Sequence, residues 1–124
     1  MKALIVDDSS FMREYICQIL RRLGVACMEA CDGSQALEVL QREGAFDLIL
    51  VDANMPVMGG LECVKRLRQE GLGPLMRVMM VTTVADSSFV SLSLEYGADE
   101  FLMKPFTSQG VKEKLLLLGF DLAA

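Results

Sequence analysis

Short runs of apolar residues recur along the chain with almost no polar positions inside them. Three runs of four cover residues 3–6, 48–51 and 78–81, and two weaker runs cover residues 25–28 and 101–103. Runs without polar alternation are typical of strands that are covered on both faces, as the strands of parallel sheets are. The pattern therefore predicts five strands, of which the three strong ones are fully buried.

The segments between and after these runs show the 3.6-residue spacing of amphipathic helices. The first helix is predicted over residues 11–23 and ends at Gly24, and the second follows Ser34, which we expect to be its N-cap. The fourth and fifth helices are predicted over about residues 87–96 and 108–118.

The third helix carries apolar positions over residues 61–67 and ends at Gly71. Its Glu62 is spaced to pair with Arg66 one turn later. Five repeats of a strand and a helix, with crossovers of about 15 to 20 residues, predict an α/β protein. We expect a five-stranded parallel sheet, doubly wound, with helices on both faces.

Composition narrows the class of protein. A chain of 124 residues has the length of one domain, so we expect residues 1–124 to form a single domain. A formal net charge of −5 argues against direct binding of nucleic acid. No apolar run approaches the roughly 18 residues needed to span a membrane, and two early acids interrupt any signal-peptide core. These features predict a cytoplasmic protein that contacts neither nucleic acid nor membrane directly.

The absence of histidine restricts the chemistry further. Catalysis by Ser-His-Asp or Cys-His arrangements is impossible, as is a phosphohistidine relay that starts in this chain. The four cysteines lack the spacing of a zinc site and are expected to be reduced. Any group transfer has to use carboxylates, hydroxyls, lysine or a metal ion.

Polar side chains follow the apolar runs where four of the five predicted strands end. In chain order these side chains are Asp7 and Asp8, Asp52, Thr82 and Lys104. Each one alone is also compatible with a helix cap, a turn, an ordinary strand residue or a surface loop. Because open α/β sheets bind their ligands at the carboxyl ends of the strands, the set as a whole predicts a site.

Electrostatics indicates what such a site binds. Two carboxylates at about 5 Å repel by roughly 3 kcal/mol when the effective dielectric constant is about 20. A cation would relieve this repulsion, and a few hard oxygen ligands that are partly open to water suit Mg²⁺. Lys104 and the Thr82 hydroxyl could then bind the oxygens of a phosphoryl group.

These residues resemble the signature of response-regulator receiver domains of two-component signalling, in the CheY-like group. The resemblance rests on the acid pair, Asp52, Thr82 and the Lys104-Pro105-Phe106 segment, and residues 52–60 and 97–106 extend it. It covers the chain from Ala3 to about Leu118. The resemblance implies a flavodoxin-like fold with strand order 2-1-3-4-5.

The resemblance also implies a role for each acid. Asp52 would accept a phosphoryl group from a histidine kinase or a phosphotransfer protein. Asp8, Asp52 and the backbone carbonyl of Asn54 would ligate Mg²⁺, and Asp7 would assist, partly through water.

The remaining signature residues would read out the phosphorylated state. Lys104, expected to be an unpaired lysine at the cleft, would pair with the phosphoryl group, and Thr82 would hydrogen-bond it and move inward. Phe101 would then rotate, and the face made by the fourth helix, fifth strand and fifth helix would bind a protein target or a second copy of the chain. Pro105 would follow a cis peptide bond.

Three features depart from the pattern of the family. Phe101 stands where well-known members have tyrosine, and Val84 is apolar where some members carry a charged or amide side chain. Residues 115–118 are four consecutive leucines, which one face of a helix cannot bury together. Either a partner covers some of these leucines or the end of the helix is unwound.

Three other functions are compatible with parts of this pattern. A haloacid-dehalogenase-type phosphatase also uses a nucleophilic aspartate with Thr, Lys and Mg²⁺, but there the nucleophile precedes the other acids, and Asn54 cannot act as a general acid. A flavodoxin-like FMN protein would place its phosphate where Asp7 and Asp8 would repel it. A pseudo-receiver that only binds proteins would not need the full set of acid, hydroxyl and lysine. We therefore expect a signalling domain and not an enzyme.

Overall fold

Five strands form the centre of the molecule. The computed structural model describes residues 1–55, 57–83 and 86–122. The strands are β1 (Lys2–Val6), β2 (Ala26–Ala30), β3 (Leu48–Asp52), β4 (Arg77–Thr82) and β5 (Glu100–Met103). All neighbouring strands are parallel, and their order is β2-β1-β3-β4-β5. This confirms the α/β class and the implied order 2-1-3-4-5.

Five helices alternate with these strands. They are α1 (Ser10–Arg22), α2 (Gly33–Glu43), α3 (Gly60–Gln69), α4 (Ser87–Tyr96) and α5 (Ser108–Leu117). Each predicted helix is present. Among the residues that the structure describes, no helix is both long enough and apolar enough to cross a membrane.

The sheet separates two apolar cores, as a doubly wound fold requires. Along β1, Leu4 and Val6 pack into the core beneath α2 and α3, whereas Ala3 and Ile5 pack into the core beneath α1 and α5. All five residues of β3 are buried because the strand lies in the middle of the sheet with a core on each side. Its apolar run is unbroken for that reason.

The four cysteines are free, as expected. Cys17 and Cys63 are buried, and burial raises the pKa of each thiol to about 12. A thiol with so high a pKa carries almost no thiolate at neutral pH and is therefore unreactive. These two residues serve as small apolar core residues.

Two local predictions about the helices are wrong. The N-cap of α2 is Asp32 and not Ser34, because the Asp32 side chain accepts a hydrogen bond from the Gln35 backbone N–H at 2.8 Å. Arg66 pairs with Glu70 at 3.4 Å and not with Glu62. Glu70 is also held by the side chain of Gln41 in α2, which fixes its carboxylate beside Arg66.

The row of four leucines divides between core and surface. Leu115 is fully buried and Leu118, the C-cap of α5, packs against the same core. The helix continues through Leu117, so it is not unwound at Leu116 or Leu117. Both of these side chains remain on its surface. Leu116 and Leu117 are 51% and 74% exposed.

Gly60 lies where α3 begins against the end of β3. A Cβ atom on Gly60 would lie 2.4 Å from the Asp52 carbonyl oxygen and 2.9 Å from the Ala53 Cα. Neighbouring Gly59 has room, since the nearest atom to its Cβ would be the Ala53 carbonyl oxygen at 3.8 Å. The close approach of α3 to the strand that ends in Asp52 therefore requires glycine only at position 60.

We expect Gly60→Ala to lower the free energy of unfolding by about 1–3 kcal/mol through overpacking against rigid backbone. Helix propensity alone predicts the opposite sign, because alanine in place of glycine favours a helix by up to about 1 kcal/mol. Gly59→Ala is the matched control and should cost less than about 1 kcal/mol, as expected for alanine at an N-cap. Urea denaturation of both variants measures the difference, and a Gly60→Ala protein as stable as wild type would contradict the steric argument.

Candidate functional site

The end of β1 delivers two acids with different surroundings. Asp7 is buried, whereas Asp8 is exposed. The Asp7 backbone N–H donates to the Ala30 carbonyl at 3.1 Å, and its Oδ1 accepts from the Ser9 backbone N–H at 2.9 Å. The turn after β1 is thus fixed by hydrogen bonds to β2 and to the start of α1, where Ser9 is the N-cap.

Asp52 is the last residue of β3 and is only 6% exposed. The Ala53 backbone N–H donates to the Val81 carbonyl at 2.9 Å, which continues the pairing of β3 with β4 one residue beyond the strand. The Asp52 Oδ1 accepts from the Asn54 backbone N–H at 3.3 Å. The side chain therefore lies at the edge of the sheet, where β3 passes into the loop before α3.

The three acids form a cluster that could hold a cation. Carboxylate oxygens of Asp7, Asp8 and Asp52 lie within 4.8 Å of one another. The Asp7 Oδ2 is buried and has no hydrogen-bond partner among the described residues. A buried carboxylate oxygen without a hydrogen bond is costly, and three hard oxygen ligands suit Mg²⁺. The residues present therefore fit the metal ion that the sequence predicts.

Lys104 lies opposite these acids. Its Nζ atom is 3.3 Å from the Asp52 Oδ1 and 3.6 Å from the Asp7 Oδ2. The expectation of an unpaired lysine at the cleft is wrong. Lys104 offsets part of the acidic charge, because the sheet brings the end of β5 within reach of the acids on β1 and β3.

The backbone of Lys104 also connects the site to β4. Its N–H donates to the Thr82 carbonyl at 2.9 Å, which extends the β4–β5 pairing beyond Met103. Thr82 is 1% exposed and ends β4 next to Asp52 and Lys104 in the order of strands. Phe101 on β5 is half-buried, and its ring meets that of Phe89 on α4 edge-on, with 6.4 Å between centroids.

The loop after Lys104 is held by an aromatic contact with α1. The Lys104–Pro105 peptide bond is cis, as the resemblance implied. The next ring, Phe106, stacks on Tyr15 with 5.7 Å between centroids, and the Tyr15 hydroxyl donates to the Phe106 carbonyl at 3.3 Å. Tyr15 lies within the helix predicted over residues 11–23, but residue spacing does not show which loop its hydroxyl reaches.

Arg13 is a second residue near the site to which the sequence assigned no role. Its Nη1 donates to the Asp7 backbone carbonyl at 2.7 Å, and its Nε donates to Glu29 Oε1 on β2 at 2.9 Å. An arginine on the polar side of a helix is usually a solvated surface residue, so no pattern in the sequence distinguishes Arg13 from the other arginines.

Burial controls the protonation of Asp7. Removal from water raises the pKa of its carboxyl above the ordinary value, and the nearby Asp52 carboxylate raises it further. The hydrogen bond from Ser9 and the charge of Lys104 oppose this effect and do not outweigh it. The ionised form of Asp7 is therefore maintained at a cost that a cation would remove.

The structure thus brings Asp7, Asp8, Asp52 and Lys104 together at one edge of the sheet, with Thr82 ending the neighbouring strand. Asn54 directly follows this edge and is exposed, and its backbone N–H contacts Asp52. The functional roles assigned to these residues stay predictions. Val84, which departs from the pattern of the family, lies outside the described residues.

Comparison with known proteins identifies the class to which this fold and acidic site belong. The model of the protein family described as response regulator receiver domain matches residues 3–116 of this chain. The chain therefore belongs to the response-regulator receiver family.

Individual relatives narrow the group within that family. The chain is 42% identical over 116 residues to the chemotaxis protein CheY homolog of Campylobacter jejuni. The aligned region covers 93% of this chain and 89% of the relative. The chain is 40% identical over 121 residues to the chemotaxis protein CheY1 of Helicobacter pylori, with 96% and 98% covered. The structure of the chemotaxis protein CheY4 of Vibrio cholerae superposes with a TM-score of 0.88 at 34% identity, covering 94% of this chain and 96% of that one. The protein is a CheY-type receiver domain and hence a phosphoacceptor response regulator, a class whose members are generally not enzymes.

We expect Asp7→Asn to raise the free energy of unfolding by about 1 kcal/mol at pH 7 in the presence of EDTA, because it removes a buried charge with an unsatisfied oxygen. The folded-state pKa of Asp7 is raised, so the unfolded chain loses this proton first, and the penalty grows as pH rises above about 3.8. The gain should therefore shrink as pH falls towards 3.5. Urea denaturation of both proteins at the two pH values measures it, with Asp121→Asn at the exposed carboxyl-terminal end as the control. A destabilised Asp7→Asn protein at pH 7 would contradict the argument.

Proposed function

We propose that Asp52 accepts a phosphoryl group from the phosphohistidine of a histidine kinase or a phosphotransfer protein, in a reaction that depends on Mg²⁺. The observation that carries this proposal is the position of the Asp52 carboxylate. It ends a fully buried strand, lies 3.3 Å from the Lys104 ammonium, and shares a cation-sized cluster with Asp7 and Asp8.

The step is a transfer between two nucleophiles. An Asp52 carboxylate oxygen attacks the phosphorus atom, the P–N bond of the donor breaks, and an acyl phosphate forms while the departing imidazole takes a proton from water. When bound by Asp7, Asp8, Asp52 and the Asn54 carbonyl, Mg²⁺ supplies positive charge for the phosphoryl oxygens and keeps the carboxylate ionised. Loss of the phosphoryl group to water would be slow autodephosphorylation, and the domain would turn over no separate substrate.

Lys104 and Thr82 have the positions needed to detect the new group. In the unphosphorylated protein Lys104 is divided between Asp52 and Asp7, at 3.3 and 3.6 Å. A phosphoryl group on Asp52 adds negative charge, so Lys104 would pair with it and the Thr82 hydroxyl would hydrogen-bond it. Thr82 would act as a switch residue, and a shift of Lys104 would reach it because the Lys104 N–H donates to the Thr82 carbonyl.

Phe101 would carry the change to the surface. Its ring already packs against the core beneath α2 and α3, and against Phe89. Since a phenyl ring has no hydroxyl to keep in water, we propose that the inward position is well populated before phosphorylation, so that the switch starts biased.

The output surface in this proposal is the α4-β5-α5 face. Five large apolar side chains on these elements are exposed: Leu92 at 37%, Leu94 at 50%, Met103 at 41%, Leu116 at 51% and Leu117 at 74%. Lys114 on α5 pairs with Glu100 on β5 at 3.0 Å. An apolar patch with a polar border is typical of a protein-binding site. The partner would be a downstream protein, or a second copy of this chain in the phosphorylated state.

The other readings of the chain are weaker. A pseudo-receiver that only binds proteins would have no use for the acid cluster with Lys104 against it. A haloacid-dehalogenase-type phosphatase needs a general acid two residues after the nucleophile, where this chain has Asn54. We propose that residues 1–124 act as one receiver domain without direct contacts to nucleic acid or membrane, and its cytoplasmic location stays a prediction from the sequence.

We expect incubation with a small-molecule phosphodonor and Mg²⁺ to add one phosphoryl mass to the wild-type protein and none to Asp52→Asn. The reason is that Asp52 is the last residue of the buried strand β3, and its carboxylate lies closer to the Lys104 ammonium than that of Asp7 does, at 3.3 Å against 3.6 Å. Intact-mass spectrometry measures the addition, EDTA should abolish it, and Asp121→Asn is the matched control. Phosphoryl mass on Asp52→Asn would refute the assignment.

We expect Leu117→Glu to weaken phosphorylation-dependent association about tenfold or more, since a charge in a desolvated apolar contact opposes binding. Leu75→Glu is the control, because Leu75 is 93% exposed in the loop before β4 and lies outside α4, β5 and α5. Sedimentation of the phosphorylated proteins and binding to a candidate target measure association, and Leu116→Glu shows how far the patch extends around α5. If both leucine variants on α5 behave as wild type, the docking face lies elsewhere.

A further inference from the structure

None of the site residues predicted from the sequence comes from the edge strand β2, whereas at least one lies on or directly after each of the other four strands. Strand β2 contributes Glu29, one residue before its end, and this carboxylate accepts from Arg13 Nε at 2.9 Å. The same guanidinium donates through Nη1 to the Asp7 backbone carbonyl at 2.7 Å. Arg13 therefore links β2 to the turn that carries Asp7 and Asp8.

This link completes the hydrogen bonding of Asp7. The Asp7 N–H donates to the Ala30 carbonyl, and its Oδ1 accepts from the Ser9 N–H. The remaining backbone group, the Asp7 carbonyl, accepts from Arg13 Nη1. The contacts come from β2 and from both ends of the first turn of α1. Only the Oδ2 atom is left without a hydrogen bond among the described residues, and it belongs to the acid cluster.

Burial shows that Arg13 is more than a surface charge. Its side chain is 17% exposed, compared with 40% for Glu29. A charge-assisted bond of 2.7 Å to a carbonyl and a second bond to a carboxylate hold the planar guanidinium at two points, which a lysine cannot reproduce. Glu29 also neutralises the arginine, so the link adds no net charge beside the acids.

We propose that Arg13 is a positioning residue for the cation site: it fixes the Asp7 carbonyl, and thereby the direction of the Asp7 and Asp8 carboxylates, against β2. The proposal rests on the proposed function, because it assumes that the acid cluster holds Mg²⁺. Residues that orient metal ligands without touching the metal change its affinity by about 10- to 100-fold when they are replaced.

Electrostatics and positioning predict opposite results for the loss of Arg13. A guanidinium close to the acids repels a divalent cation, so its removal would tighten Mg²⁺ binding if charge alone mattered. If Arg13 orients the ligands, its removal loosens binding in spite of the gain in negative charge. The sign of the change in affinity therefore separates the two roles.

The test is a titration of Mg²⁺ followed by NMR of backbone amides in wild type, Arg13→Met and Arg22→Met. Methionine keeps most of the apolar stem and removes the guanidinium. Arg22 is an exposed arginine in the last turn of the same helix, so it controls for the loss of one positive charge on α1. We expect Mg²⁺ to bind Arg13→Met about tenfold more weakly than wild type, and Arg22→Met equally well. Equal or tighter binding by Arg13→Met would overturn the proposal.

Two further variants distinguish the link from general stability. Glu29→Gln keeps an oxygen that accepts from Arg13 Nε and should bind Mg²⁺ within about threefold of wild type, whereas Arg13→Lys keeps the charge without the two-point contact and should bind as weakly as Arg13→Met. Rescue by lysine would mean that one charged hydrogen bond to the Asp7 carbonyl is enough, and would overturn the role given to the two-point contact.

A measurement without metal keeps this proposal separate from the proposed function. Hydrogen exchange of the Asp7 and Ser9 amides, which donate to Ala30 and to the Asp7 side chain, should be at least about tenfold faster in EDTA in Arg13→Met than in wild type, with exchange in β3 unchanged. Absence of any Mg²⁺ response in wild type would refute the proposed cation site, and the exchange rates would then decide the positioning role alone. Unchanged exchange of both amides would overturn it.

Discussion

The mutual repulsion of three carboxylates is the constraint around which this structure is organised. Asp7, Asp8 and Asp52 have oxygens within 4.8 Å of one another, and at about 5 Å each pair costs roughly 3 kcal/mol when the effective dielectric constant is about 20. Lys104 relieves part of this repulsion from the opposite side. One ammonium cannot neutralise three carboxylates, so the site keeps an affinity for further positive charge.

The sheet tolerates this repulsion because its stability comes from elsewhere. The residues before Asp7 and Asp52 are fully buried in two apolar cores, and they continue as strands up to the acids themselves. The acids cannot separate without disturbing the pairing of β1 with β3. Gly60 tightens the same arrangement, since α3 begins in contact with the Asp52 carbonyl. The repulsion between the acids is therefore opposed by the packing of the strands that carry them.

Much of this could be predicted from the sequence, and the physical reason is burial. An unbroken apolar run such as residues 48–51 predicts a central parallel strand, and the polar residue that follows it then lies at the carboxyl edge. Side-chain partners could not be predicted in the same way. Spacing along the chain did not show that Lys104 would reach Asp52 and Asp7, that Arg13 would reach the Asp7 carbonyl, or that Asp32 would cap α2 in place of Ser34. Such choices depend on distances between elements that no local pattern contains. For residues 115–118 the pattern predicted that one helix face could not bury all four leucines, but not which of them would be exposed.

The same distances determine how a change at Asp52 could travel. Lys104 touches the acids through its side chain and Thr82 through its backbone. Any group that competes for its ammonium therefore acts on the end of β5 as well as on the acid cluster. Two residues before the end of β5 lies Phe101, whose ring contacts α4 through Phe89. A shift of Lys104 would thus be applied to β5, which is 4 residues long and has a strand partner on one side only. The proposed output face includes that strand, so a change in charge at the acids would reach the face through a short edge strand.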